Sequence, residues 1–136
     1  MAVVEELIRT EADGGLSFGN YELSDKAKKD DHECAGNIYK VKTFKEITKL
    51  ERDGMFVYES VPGTCVHGFR ATNEGVFFTV CGNEDAQITV GVKEDTEYEV
   101  LIDGKSTGKF KSNLGGKLSL SVELAGNGDV PVAVQM

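Results

Sequence analysis

Every cysteine and histidine of the 136-residue chain falls between His32 and Cys81. They occur as His32-Glu33-Cys34, Cys65-Val66-His67 and a separate Cys81. In extended chain, residues i and i+2 share a face, so each pair presents an imidazole beside a thiol. Zn²⁺ takes four tetrahedral nitrogen and sulfur donors. His32, Cys34, Cys65 and His67 make up such a set, with Cys81 as a replacement or fifth ligand. Iron and copper accept the same donor types and rank behind zinc. An ion held this way would clip the segment around residue 32 onto the hairpin that carries Cys65.

Plainer readings compete with the metal. A buried cysteine behaves as a small hydrophobe, and an i,i+2 pair is less diagnostic than paired Cys-x-x-Cys motifs. Inert side chains and no cofactor are therefore the first expectation, and zinc the second. Redox chemistry ranks third, for example a Cys34–Cys65 disulfide. A Cys65–His67 nucleophile–base dyad ranks last, because the sequence shows no third residue to orient the imidazole.

The other polar clusters point to surface. Asp30-Asp31, Glu84-Asp85 and Glu94-Asp95 lack the alternating acidic pattern of a calcium loop. Glu97, Glu99 and Glu123 read as outward strand carboxylates. Phe18, Tyr21, Tyr39, Phe44, Phe56 and Tyr58 are candidate sugar-stacking rings, but tryptophan is absent and core packing is the first reading for most of them. No glycine-rich loop opens a helix, so nucleotide binding has no support. The three arginines, Arg9, Arg52 and Arg70, are scattered, a poor inventory for clamping phosphates or carboxylates.

Net charge is −8, which disfavours nucleic acid and anionic membranes as partners. No apolar run reaches the roughly 18–20 residues of a membrane-spanning helix. Met1-Ala2-Val3-Val4-Glu5-Glu6 lacks the basic and apolar regions of a secretory leader. The three cysteines, an odd number, argue against a disulfide framework. A cytoplasmic location is the expectation.

The elements that must position these residues read as strands. Turn signals such as Asp13-Gly14-Gly15, Asp53-Gly54, Pro62-Gly63, Asp103-Gly104 and Gly115-Gly116 separate runs of five to nine residues rich in Val, Ile, Phe, Tyr and Thr. Val76–Cys81, Gln87–Val92 and Lys117–Leu124 alternate with period two, the mark of one buried face. Val3 to Arg9 reads as a strand or a short helix, and Leu16 to Leu23 as its hairpin partner. Ser24 to Asp31 has no apolar stripe and reads as an exposed loop. Lys40, Lys42, Lys45 and Lys49 guard one sheet edge, whereas Val130 to Met136 ends the chain as an apolar strand.

Tyr98-Glu99-Val100-Leu101-Ile102-Asp103-Gly104-Lys105, followed by Gly108-Lys109-Phe110, resembles the strand–turn–strand element of immunoglobulin and fibronectin modules. The resemblance covers the C-terminal half and implies a fold class without a function. Leu16-Ser17-Phe18-Gly19-Asn20-Tyr21 and the run from Tyr39 to Gly63 resemble small β-rich bacterial proteins, some of which carry an endosialidase label. Sialidase chemistry rests on a large propeller, an arginine cluster and a tyrosine nucleophile. The chain is too short for that scaffold, so the activity is not carried over.

The expected architecture is all-β: an antiparallel sandwich, immunoglobulin-like over 65–136, with an N-terminal hairpin layer over 1–61, the two forming separate lobes or one continuous domain. The expected function is a non-enzymatic structural or binding module that self-associates through β-edges into a homo-oligomer. A metal-binding protein is the alternative, and a module for a carbohydrate or other small-molecule ligand comes third.

Overall fold

The computed structural model describes residues 3–136; Met1 and Ala2, part of the leader-sequence reading, lie outside them. Thirteen strands are present among the described residues: β1 (Ile8–Thr10), β2 (Leu16–Phe18), β3 (Ala27–Cys34), β4 (Asn37–Phe44), β5 (Ile47–Arg52), β6 (Met55–Val61), β7 (Cys65–Thr72), β8 (Gly75–Cys81), β9 (Ala86–Gly91), β10 (Glu97–Ile102), β11 (Lys105–Lys111), β12 (Lys117–Val122) and β13 (Val130–Gln135). They form two antiparallel sheets packed as a sandwich. One sheet has the order β1-β2-β7-β8-β13-β10-β11, the other β12-β9-β6-β5-β4-β3.

Period-two patterning explains most of these elements. On β12, Leu118, Leu120 and Val122 are buried while Lys117, Ser119 and Ser121 face solvent. Two-residue turns close most of the hairpins. Asp53-Gly54 and Asp103-Gly104 both have positive φ at each position, which suits the right-handed twist of the strands they join. Ala35-Gly36 does the same between β3 and β4, although Ala35 at φ +51° lacks the usual Asn or Asp.

The N-terminal region departs from expectation. Ser24 to Asp31, read as a loop, contributes most of β3 instead. This strand sits at a sheet edge with both faces largely exposed, so pairing to β4 defines it and no apolar stripe is needed. The first hairpin is shorter than the sequence suggests. β2 stops at Phe18 because Gly19 turns the chain at φ +100°, where a Cβ would lie 2.5 Å from the Thr64 carbonyl oxygen. Residues 3–7 form neither strand nor helix.

The segments on either side of Pro62-Gly63 interleave. β1 and β2 join the sheet built largely from the C-terminal half, while β9 and β12 complete the sheet of β3–β6. One buried cluster runs through both. Within the C-terminal seven strands, β8 pairs β13, β9 pairs β12 and β10 pairs β11, a set of nested hairpins that alternates between sheets. The last strand thus lies between β8 and β10, rather than in the second sheet as in immunoglobulin constant domains.

At the centre Phe18, Tyr58, Phe69 and Phe78 form one aromatic cluster in which Tyr58 meets the other three edge to face, 5.2 Å from Phe18 and 5.6 Å from Phe78. Phe18, Tyr39 and Tyr58 are therefore core rings and offer no sugar platform. The Tyr58 hydroxyl leads into a buried polar chain. It bonds Thr64 Oγ1 at 2.7 Å, and Ser60 Oγ bonds the same atom at 2.8 Å. Burial holds the Tyr58 phenol well above its ordinary pKa.

Thr48 extends the chain. Its hydroxyl donates to the Thr64 carbonyl at 2.9 Å and accepts from the Thr64 N–H at 3.0 Å. With that proton committed, Thr43 must donate to Thr48 Oγ1, 2.8 Å away, while accepting from the Asn20 N–H. Thr43, Thr48, Ser60, Thr64 and Tyr58 are all fully buried.

Thr48→Val, which keeps shape and removes the hydroxyl, orphans the Thr64 N–H and carbonyl and the Thr43 hydroxyl. A loss of about 3 kcal/mol in urea unfolding is expected, because each buried orphan costs about 1–3 kcal/mol. Thr89→Val, at an exposed hydroxyl pair with Ser119, should change stability by less than about 0.5 kcal/mol.

Candidate functional site

The five cysteine and histidine side chains fall into two groups on opposite sides of the seven-stranded sheet. Val66 and Phe69 point into the core, so Cys65 and His67 face outward on β7. Cys81 stands directly opposite Cys65 on β8. His32 and Cys34 instead lie on β3, at the side of the sandwich where β3 runs past β1. There His32 Nε2 meets Thr10 Oγ1 at 2.9 Å, and Cys34 packs against the main core. Thr10 lies on the core-facing side of β1 with buried Ile8, so the sheet separates this pair from Cys65 and His67. Among the described residues, no group of three or more His, Cys, Asp or Glu side chains is arranged to hold a metal ion.

Cys65, Cys81 and His67 form a compact outer-face group. Cys65 Sγ lies 3.1 Å from His67 Nε2. The Cys65 and Cys81 sulfurs also share a hydrogen bond, and that bond together with burial pushes the Cys65 thiol pKa up. Val3, Val4 and Tyr21 cover the two sulfurs as a second, small apolar cluster. The cover is held by backbone bonds from Val4 N–H to the Gly19 carbonyl and from Gly19 N–H to the Leu7 carbonyl, each 3.0 Å.

A polar cluster continues this face toward β1. Glu11 accepts hydrogen bonds from Ser17 Oγ and, at 3.2 Å, from Arg9 Nε. The Ser17 bond holds the Glu11 carboxyl below its ordinary value; desolvation, the next largest influence, opposes it, and Arg9 and then His67 add smaller lowering effects. Glu11 is thus the charged neighbour of His67 that the sequence could not supply, because eleven-to-sixty-seven proximity depends on β2 pairing with β7.

A cleft of about 950 Å³ opens at one end of the sandwich, between the ends of the two sheets. The β5–β6 turn, the β7–β8 turn, the segment after β9 and the start of β12 form its walls. Met55 projects into solvent at 73% exposure beside half-buried Phe56. Lys117 Nζ lies 4.7 Å from the Phe56 ring centroid, so the ring face is covered by a cation. Buried Tyr98 forms part of the lining, its hydroxyl accepting from the Lys93 N–H at 3.0 Å. Gly91 and Gly116 allow the walls to approach: a Cβ would lie 2.9 Å from the Phe56 carbonyl oxygen and 2.6 Å from that of Val92. Arg52, Lys93 and Lys117 line the cleft with one acidic residue, Asp53, whose Oδ1 is bonded to the Ile38 N–H at 2.8 Å. Sequence reading missed this site, since its parts come from four separate strand ends. The excess of cations over acids among them becomes visible when the ends meet.

A third feature lies on the six-stranded sheet. Lys28, Lys42 and Lys49 are cross-strand neighbours on β3, β4 and β5, forming a row of like charges. Lys26 is the largest cause of a lowered Lys42 pKa, with Lys28, Lys49 and Lys40 adding to it. Lys40 is answered by Asp30 at 3.8 Å and Lys49 by Glu51 at 3.9 Å.

Because the folded-state pKa of Glu11 is depressed, its contribution to stability is present above the ordinary carboxylate value and lost as pH falls through the folded value. Ser17→Ala removes the main cause of the depression. The acid limb of a melting-temperature profile below about pH 4.5 should therefore become shallower in Ser17→Ala, with the largest difference from the parent at neutral pH. An unchanged limb would remove Glu11 from this role.

Comparison with known protein families, with curated proteins and with solved structures found no match to this chain.

Proposed function

We propose that the protein is a non-enzymatic binding module whose end cleft takes an anionic ligand with an apolar portion. The observation that carries this reading is the cleft's charge: three cations and one acid that is engaged in a turn, on a chain of net charge −8. Met55 and Phe56 offer apolar surface beside those cations. The volume falls within the range of small-molecule sites. A neutral sugar stacked on Phe56 fits less well, because Lys117 occupies the ring face. Among the lining residues no cysteine, histidine or serine stands beside a base, which favours binding over catalysis.

The test is a titration with a panel of aliphatic and aromatic carboxylates and phosphate monoesters, followed by amide NMR shifts. Saturable shifts confined to residues 52–57, 91–93 and 115–117 are expected. Arg52→Glu with Lys117→Glu should weaken binding at least about tenfold, the loss of roughly 1.4 kcal/mol or more for charge-assisted contacts. Shifts scattered over the surface, or an unaffected double variant, would refute the reading.

Self-association is the second reading, and the β12 edge favours it. The other edges are protected: β1 has three residues, β3 carries five charged residues in eight, and β11 has Lys105, Lys109 and Lys111 with a bulge in its pairing to β10. β12 is six residues long, pairs with β9 in unbroken register and presents Ser119 and Ser121 outward. An edge so regular and so weakly charged is open to pairing with a second copy. Light scattering behind size-exclusion chromatography at micromolar concentration should show a dimer that Ser119→Lys with Ser121→Lys returns to monomer. A parent chain that elutes as monomer throughout would eliminate it.

A further inference from the structure

We propose that Cys65 and Cys81 form a reversible dithiol–disulfide couple beneath the N-terminal segment, with His67 as the proton acceptor for Cys65. The geometry makes the case. The two residues are direct cross-strand partners on β7 and β8. Antiparallel partners have Cα separations of about 4.5–5.5 Å, within the range a disulfide spans without backbone movement. The sulfurs already share a hydrogen bond, and His67 Nε2 stands 3.1 Å from Cys65 Sγ. Cys34, the third thiol, is on the other side of the sheet beside the Gly14 carbonyl.

Exposure and the imidazole order the two sulfurs. Cys81 keeps 5% of its surface exposed and Cys65 none, while His67 stands on Cys65, so Cys81 meets the oxidant first and Cys65 resolves it. With hydrogen peroxide as oxidant, Cys81 gives its thiol proton to solvent and the thiolate attacks one peroxide oxygen. The O–O bond breaks, hydroxide leaves and takes a proton from solvent, and Cys81 becomes a sulfenic acid. Cys65 then passes its proton to His67 Nε2 and attacks the Cys81 sulfur. The S–S bond forms, the S–O bond breaks, and the departing hydroxide takes the proton back from His67. Two thiols and one peroxide give one disulfide and two waters. A dithiol reductant reverses the change by thiol–disulfide exchange.

Access is the remaining requirement. Cys65 is fully buried and Cys81 is 5% exposed. Their cover is Val3, Val4 and Tyr21, and residues 3–7 belong to no strand or helix. Local opening of that segment, without separation of β7 from β8, uncovers both sulfurs. The cover thereby sets the rate of oxidation, while the paired strands set its product.

The experiment treats the full chain with hydrogen peroxide, then alkylates it and measures intact mass and peptide linkage. The expected product has lost two hydrogens, links the peptides containing Cys65 and Cys81, leaves Cys34 open to alkylation and returns to the starting mass with dithiothreitol. Cys34→Ser should behave identically. Cys65→Ser should stop at a Cys81 sulfenic acid that dimedone traps. His67→Gln should accumulate the same sulfenic acid before the disulfide appears, and Val4→Ala should speed the overall reaction severalfold. Circular dichroism checks that each variant is folded. A linkage through Cys34, over-oxidation of Cys81 without a disulfide, or resistance of the parent while Cys34 reacts would each overturn the proposal.

Discussion

The pair of hydrogen bonds between the Thr48 hydroxyl and the Thr64 backbone is the constraint on which the rest depends. Three residues, Pro62-Gly63-Thr64, carry the chain from β6 in one sheet to β7 in the other. So short a crossing must bury its peptide groups where no strand can pair them, and buried unpaired groups are costly. Thr48 satisfies both from β5, and Thr43 and Asn20 tie β4 and the loop after β2 to the same point. Gly63 lets the crossing come against β4: a Cβ there would lie 2.0 Å from the Phe44 carbonyl oxygen. The distance between the sheets, and with it the aromatic cluster around Tyr58, is set here.

That junction also decides what the two ends and two faces can do. Because β7 begins immediately after Thr64, Cys65 is placed on the outer face at the first residue of the strand, opposite the last residue of β8. The junction lies at one end of the sandwich; the cleft lies at the other, where the β5–β6 and β7–β8 turns diverge. The rigid end carries the dithiol and the open end carries the cations. Binding in the cleft and oxidation at the sulfurs are therefore separated by the length of β7 and β8, and each can be altered without dismantling the other.

The sandwich itself was legible because alternation is a local signal. Leu118, Leu120 and Val122 specify a half-buried strand without knowledge of any partner, and Asp53-Gly54 specifies a turn in two residues. β3 was illegible for the converse reason. Its strand character is supplied by β4, and a charged edge strand has the composition of a loop. The sites were legible in part. The i,i+2 rule correctly set Cys65 beside His67, but the pairing of Cys65 with Cys81 depends on register, which a bulge between His67 and Arg70 shifts along β7. No local pattern indicates on which side of a sheet His32 and Cys34 will lie. The cleft had no signature at all, since Arg52, Lys93 and Lys117 become neighbours through the closure of the sandwich.

The lysine row shows how far the sheet tolerates a locally unfavourable arrangement. Directly opposed like charges weaken a strand pair, yet Lys42 faces Lys28 on one side and Lys49 on the other. The inner face resolves the conflict. Val41 and Thr43, the neighbours of Lys42 along β4, are fully buried, and Thr43 belongs to the chain that holds the junction. A one-residue slip of β4 would spread the lysines apart, but it would also turn Val41 and Thr43 to solvent and bring charges into the core. The cost of a buried lysine exceeds that of a solvated like-charge pair. Register is consequently fixed from inside, and the outer surface accepts whatever charge pattern that register imposes.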